Sequence, residues 1–172
     1  MAVRYLAGHG RRRLAPAASP TLRDHHGKSY AVRTRTGFTT AAKSLGLAHS
    51  VQPCRPTWDG VRAWLDLLER ERPDARGIVV QNEAALPLLL ATLRQRNRRV
   101  PEDVSVVAIC PRAIAEQQEP PLTFIDIPAT ALGSAATEAL LRLLGNEDVP
   151  AVRLLPARLE EGASCSDLLA PA

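Results

Sequence analysis

Aromatic residues make up only 3% of this 172-residue sequence. That is too few for the ring-studded surface on which single-stranded nucleic acid stacks. Cysteine is equally scarce. Cys54, Cys110 and Cys165 stand far apart, form no CxxC pair, match no metal-ligand spacing and are odd in number, which argues against a disulfide framework. They read as buried or idle thiols. No apolar run approaches the roughly 18–20 residues that a membrane span needs. The N-terminus has no apolar signal region, which predicts a cytosolic protein. The sequence motifs of common enzymes are missing as well: there is no GxGxxG after a strand, no GxxxxGK(S/T), no GxSxG and no HExxH. The carboxylates fall mainly on predicted helix faces and in turns, and no nucleophile sits beside a base. Neither an enzyme, a cofactor nor a metal site is expected.

What is present is an ordinary globular composition, 45% hydrophobic and 23% charged. A chain of this length buries roughly 70% of its extended surface, enough for one core. The net charge of +4 is unevenly placed. Residues 1–50 carry nine Lys/Arg against Asp24 alone, whereas residues 77–172 carry eight Arg against twelve acids. Such a basic half can meet an anionic partner. Arg outnumbers Lys twenty to two, however, and Ala and Pro are abundant, so genome composition accounts for the arginines more simply than a nucleic-acid surface does.

Periodicity divides the chain. Residues 15–29, with Pro16, Ser19, Pro20 and Gly27, read as a loop containing Arg23-Asp24-His25-His26. The His pair lacks a supporting acid or cysteine and reads as solvated. A helix is expected from Tyr30, with Phe38, Ala41, Ala42 and Leu45 on one face and Gly46 as its cap. Residues 50–54 predict a short strand. Thr57 or Asp59 then caps a helix whose apolar stripe is Val61, Trp64, Leu65 and Leu68. Gly77-Ile78-Val79-Val80 does not alternate, which suits a parallel strand covered on both faces. A helix from about Ala84 to Arg96 follows, with Leu86, Leu89, Leu90 and Leu93 on one face and Pro87 in its first turn. Further strands are expected at 104–109, 122–127 and 152–155, a short helix or loop at 110–118, and an amphipathic helix at 129–144 closed by Gly145. The last ten residues read as loose. Strands alternating with helices predict an α/β fold, a three-layer parallel sheet.

In such sheets ligands sit beyond the carboxyl ends of the strands. The interesting exits are Gln81-Asn82-Glu83, Cys110-Pro111-Arg112 and Cys54-Arg55. Asn82 can donate and accept, which suits a polyol or a base edge, or it can cap the next helix. Trp58 can stack on a ligand ring or cover the sheet end. Arg33 and Arg35 can clamp an anion or stay solvated.

Several segments in order carry a resemblance: Leu6 to Ala15, including Gly8-His9-Gly10-Arg11; Gly37-Phe38 with Ala41-Ala42 and Gly46-Leu47; Pro101-Glu102-Asp103-Val104-Ser105-Val106-Val107; Pro120-Pro121-Leu122-Thr123; Leu132-Gly133-Ser134-Ala135-Ala136; and Leu154-Leu155-Pro156 with Leu159 and Ser164. Together they closely resemble the effector domain of LacI/GalR-family transcriptional repressors, over nearly the whole chain. The resemblance implies a periplasmic-binding-protein-like fold whose two lobes hold a small effector, a homodimer, and operator DNA contacted only through a headpiece absent from this chain. It assigns 1–10 to a remnant of the N-terminal lobe and 11–122 to the C-terminal effector-binding lobe. Residues 123–150 become a crossover packing with the N-terminal lobe, and 151–172 a return strand and loose tail.

Carried over by position, the resemblance makes Asn82, Glu83 and Trp58 effector contacts; Arg33, Arg35 and Cys110 are further effector-binding candidates, beside or at positions where the family pattern is broken. The family's effector-binding arginine falls on Thr34, between Arg33 and Arg35. Cys110 replaces the acid after the strand, and Gly162 the arginine expected near the end. The effector is then sugar-like at most, and not held in the usual manner. Two other readings stay open: a solute-binding module without regulatory role, and an enzyme on a doubly wound sheet.

Overall fold

Ile78 and Val80 pack into one hydrophobic cluster and Val79, between them, into another, so Gly77–Val80 is buried throughout. Alternation sends successive side chains to opposite faces, and only a strand with helices on both sides can be apolar at every position. The computed structural model describes residues 1–19 and 29–167. In chain order its elements are α1 (Ala2–Gly8), β1 (Arg13–Ala18), α2 (Ser29–Ser44), β2 (Ala48–His49), β3 (Gln52–Pro53), α3 (Trp58–Glu71), β4 (Gly77–Val80), α4 (Leu86–Gln95), β5 (Ser105–Cys110), α5 (Arg112–Glu116), β6 (Thr123–Asp126), α6 (Ala129–Leu144) and β7 (Arg158–Glu160).

The sheet order is β2-β1-β4-β5-β6-β7, with β3 also paired to β1. Every pairing is parallel except β6 with β7. On one face α1 and α2 supply Ala2, Val3, Leu6, Phe38 and Ala42 against Leu14, Val79 and Val107. On the other, α3 supplies Val61, Trp64, Leu65 and Leu68, and α4 supplies Leu86, Leu89, Leu90 and Leu93, against Ala15, Ala17, Ile78, Val80, Val106 and Ala108. Each such Leu, Ile or Val is worth about 1.5–3 kcal/mol when fully buried. The expected three-layer α/β architecture is thus present, and the α3 and α4 stripes are those the sequence predicts.

Four expectations fail for local reasons. The loop expected from Ala15 is strand as far as Ala18. Leu14 and Ala18 accept bonds from Ser50 and Cys54, whereas Ala17 accepts from Gln81. Pro16 therefore points to the β2–β3 side, where pairing covers only Arg13–Leu14 and Ala17–Ala18. Its missing N–H falls opposite the gap between the two short strands, so Pro16 costs no ladder bond. The strand expected at 50–54 is correspondingly cut to β3, Gln52–Pro53, with the separate short strand β2 at Ala48–His49 ahead of it. The strand expected at 152–155 is not formed. Val152 and Leu154 are among the most exposed apolar residues, and the sheet is closed instead by antiparallel β7. The tail is not loose as far as it is described: the buried Ser164 hydroxyl accepts from the Thr123 amide at 2.8 Å and donates to the Val106 carbonyl at 2.5 Å. Arg23-Asp24-His25-His26 lies outside the described residues.

Two segments bear on the expected lobe division. α1 buries Ala2, Val3 and Leu6 on this sheet, and β6 hydrogen-bonds along β5. α6, by contrast, has no buried residue. Leu140, Leu141, Leu143 and Leu144 are each more than half exposed.

Candidate functional site

Because β1, β3, β4, β5 and β6 run parallel, their carboxyl ends share one edge of the sheet. Asn82 leaves β4 there in an extended conformation (φ −93°, ψ 95°) and precedes a 3-10 turn, Glu83–Ala85. Its backbone carbonyl closes that turn on Ala85 at 2.9 Å. Its side chain makes no capping bond, so of the two roles open to Asn82 the cap is not the one adopted. The amide is half-buried, with donor and acceptor both available to a ligand. Glu83 is exposed beside it.

Trp58 opens α3, just after β3. Thr57 caps that helix, its hydroxyl accepting from the Gly60 amide at 3.1 Å. A side chain at Gly60 would strike Arg55 and Thr57, so the absence of a Cβ allows the turn to close under Trp58. The indole is 44% exposed, with the Arg62 guanidinium 5.9 Å from the ring centroid. A partly open ring at a strand-end edge is suited to stack on an apolar ligand face.

Cys110 is a correction. It ends β5 at the same edge but is fully buried, and burial, with Glu83 and Asp126 adding to it, pushes the thiol up to about 11. It lies beneath the rim as a neutral packing group and offers a ligand nothing. Arg33 and Arg35 are exposed on α2. Arg35 lines a groove on the flank of that helix with Thr39, Lys43 and His49 rather than the strand exits. Thr34 is half-buried between them. Gly162 cannot be an arginine that was merely lost. Its amide and carbonyl both bond the Thr123 hydroxyl, at 3.1 and 3.2 Å, and a Cβ there would overlap the Leu122 backbone.

Of three further residues at the edge, Asp126 escaped sequence reasoning, and Gln81 and Arg112 were named there only as parts of strand exits. Gln81 accepts from the Ser19 amide through Oε1 at 3.0 Å, tying the exits of β1 and β4. Asp126, opposite Cys110 in register, accepts from the Arg112 amide through Oδ1 at 3.2 Å. Arg112 reaches Glu116 at 3.3 Å and Glu160 at 3.4 Å and lies over the Phe124 ring. Glu116 holds its guanidinium above the usual arginine range, with Glu160 and Asp126 adding to the effect. The signal for Asp126 was its place as the last residue of an apolar strand, directly before Ile127-Pro128. The edge therefore presents an amide, two carboxylates, a guanidinium and an open indole. Among the described residues no group of three or more His, Cys, Asp or Glu is placed to hold a metal ion, and no helix is long and apolar enough to cross a membrane.

A periplasmic binding protein-like domain family matches residues 3–165. The HTH-type transcriptional regulator CelR of Thermobifida fusca is 31% identical over 150 residues, covering 85% of this chain and 42% of that protein. Among solved structures, a LacI family transcriptional regulator from Bifidobacterium animalis subsp. lactis matches with a TM-score of 0.83 at 22% identity, over 95% of this chain and 59% of its own. A transcriptional regulator CelR–cellobiose complex matches with a TM-score of 0.79 at 27% identity, over 95% of this chain and 50% of that one. The chain thus spans about half the length of the regulators it resembles.

Proposed function

This chain belongs to the periplasmic binding protein-like domain family, and from that premise we propose that it is the effector-sensing domain of a LacI/GalR-like bacterial transcriptional regulator. The effector is a small polyhydroxylated molecule held against the carboxyl edge of the sheet. Asn82 donates to and accepts from its hydroxyls, Glu83 and Asp126 accept from them, and Trp58 covers an apolar ring face. The observation that carries the reading is the Asn82 amide, left without a capping role at the exit of the central strand. Asp126 supplies, from the neighbouring strand, a carboxylate at the place where Cys110 supplies none. The cellobiose in the complex with the related regulator supports a sugar as the first ligand class to try.

Effector binding favours one arrangement of this lobe against a second, and that difference changes the operator affinity of a separate headpiece. Couplings of this kind are typically 1–3 kcal/mol. Helix α6, which buries no residue on this sheet, forms the junction with that second lobe, and two copies associate as a homodimer. The exposed leucines of α6 support an association of this kind, since apolar stripes of this length are seldom left to water.

Thermal-shift titration of the chain with cellobiose and a panel of mono- and disaccharides tests the assignment. At least one sugar is expected to raise the melting temperature saturably, and Asn82→Ala to weaken that response tenfold or more. A folded protein whose melting is unmoved by every sugar, or a response that Asn82→Ala leaves intact, contradicts it.

A further inference from the structure

The end of the sheet opposite the strand exits holds a cavity of about 560 Å³. It lies where α4 ends, where the chain turns into β5, and where it approaches β6. Arg94, Arg98 and Arg99 line it with Glu102 and Glu119, over an apolar floor that includes Leu90. The volume is within the range of small-molecule pockets.

The three guanidinium groups are not equivalent. Arg99 is committed, making two 3.0 Å bonds to the carboxylate of Asp103. Among the described residues Arg94 reaches only a backbone carbonyl, that of Glu119, at 3.3 Å. Arg98 has no carboxylate within 4.0 Å among the described residues, and its Nε is buried without a hydrogen-bond partner there. It also walls a void of about 10 Å³ lined by Leu65, Leu68, Ile78, Leu93 and Val104, with Glu69 and Arg72 at its margin. One water in such a space could satisfy Nε but not the charge. Arg98 as a whole is only half-buried, so its guanidinium carries no ion pair among the described residues and faces water until an anion is set against it. Asp103 feels Arg98 but is already held well below the usual carboxylate range by Arg99.

We propose that this cavity is a second ligand site, independent of the strand-exit edge, for a small hydroxylated oxyanion. A carboxylate or phosphate group lies against Arg98 and Arg94, where a guanidinium fork suits either. Hydroxyl groups donate to Glu102 and Glu119, and the carbon skeleton rests on Leu90. The two carboxylates exclude polyanions, so one anionic group is accepted and its neighbours must be neutral donors.

Calorimetric titration of the whole chain with gluconate, inorganic phosphate and sorbitol tests this. Saturable binding is expected for gluconate or phosphate, at least tenfold tighter than for sorbitol. Gluconate as the tighter ligand identifies a sugar acid, and phosphate as the tighter identifies a phosphate ester. Arg98→Met is expected to weaken the anion at least tenfold. Arg94→Met, at an exposed position, is expected to do the same in part and keeps the test decisive if Arg98→Met does not fold. Arg142→Met, on α6, leaves binding unchanged. Absence of saturable binding of either anion, equal affinity for sorbitol, or undiminished binding in a folded Arg98→Met or Arg94→Met protein overturns the proposal.

Discussion

The amide of Ser19 donates to Oε1 of Gln81 at 3.0 Å and so joins the ends of β1 and β4 beside the candidate effector contacts. Replacing Gln81 by Ala leaves a nearly buried N–H without its acceptor, a loss of about 1–2 kcal/mol. Denaturant unfolding should register that loss. Sugar binding should fall further than stability does, because the edge that presents Asn82 is then free to shift.

A second tie lies inside the molecule. Arg11 is buried, with Nε donating to the Ser105 hydroxyl at 2.9 Å and Nη2 to the Ser166 hydroxyl at 2.6 Å and the Pro101 carbonyl at 3.3 Å. It links the entry to β1, the turn before β5 and the C-terminal segment. Arg11→Met removes these three bonds, leaving the Pro101 carbonyl and the Ser105 hydroxyl only their bonds from Ser166, and a destabilisation of roughly 2–4 kcal/mol is expected from urea titration. A change below 0.5 kcal/mol would show that the network contributes nothing.

Gly162→Arg, which restores the residue type expected from family resemblance, is predicted to damage the fold rather than to regain an effector contact. The added Cβ meets the Leu122 backbone, and the two bonds to Thr123 cannot then both be kept. Overpacking of this kind costs about 1–3 kcal/mol, so a lower melting temperature without tighter sugar binding is the expected outcome.

The buried thiols set an alkaline limit. Burial raises Cys54 and Cys110 to about 11, from an ordinary value of 9.0. A raised thiol keeps its proton longer in the folded state. The associated stability is therefore complete below pH 9 and is lost as pH rises from there through about 11, by up to about 3 kcal/mol for each thiol. Melting temperature should fall across that window, and less steeply in Cys54→Ala and Cys110→Ala. Neither thiol should react with iodoacetamide at pH 8 in the folded protein.

The elements legible in the sequence were those whose signal is their own burial. The run Gly77-Ile78-Val79-Val80 and the stripes of α3 and α4 could hardly have been anything else, and the placement of Asn82 and Trp58 past strand ends followed from strand order. What was illegible depended on neighbours. Pro16 read as a loop because the gap between β2 and β3 that tolerates it is set by another part of the chain. Val152–Leu155 read as a strand because apolar content does not reveal whether a sheet edge is available, and β7 took that edge with Arg158–Glu160. Cys110 was placed at the correct strand end but on the wrong side of the rim, since position along a strand does not fix exposure. Asp126 was overlooked because its partner, the Arg112 amide, comes from a different element.

The strand-exit edge as an effector wall is tested most directly by amide shift mapping of the isotopically labelled chain during titration with the sugar that most raises its melting temperature. Perturbations are expected to cluster at Ser19, Trp58, Gln81 to Glu83, Arg112 and Asp126, and to vanish in Asn82→Ala. A saturable set of perturbations confined to another face, with the amides of Gln81 to Glu83 unmoved, would contradict it.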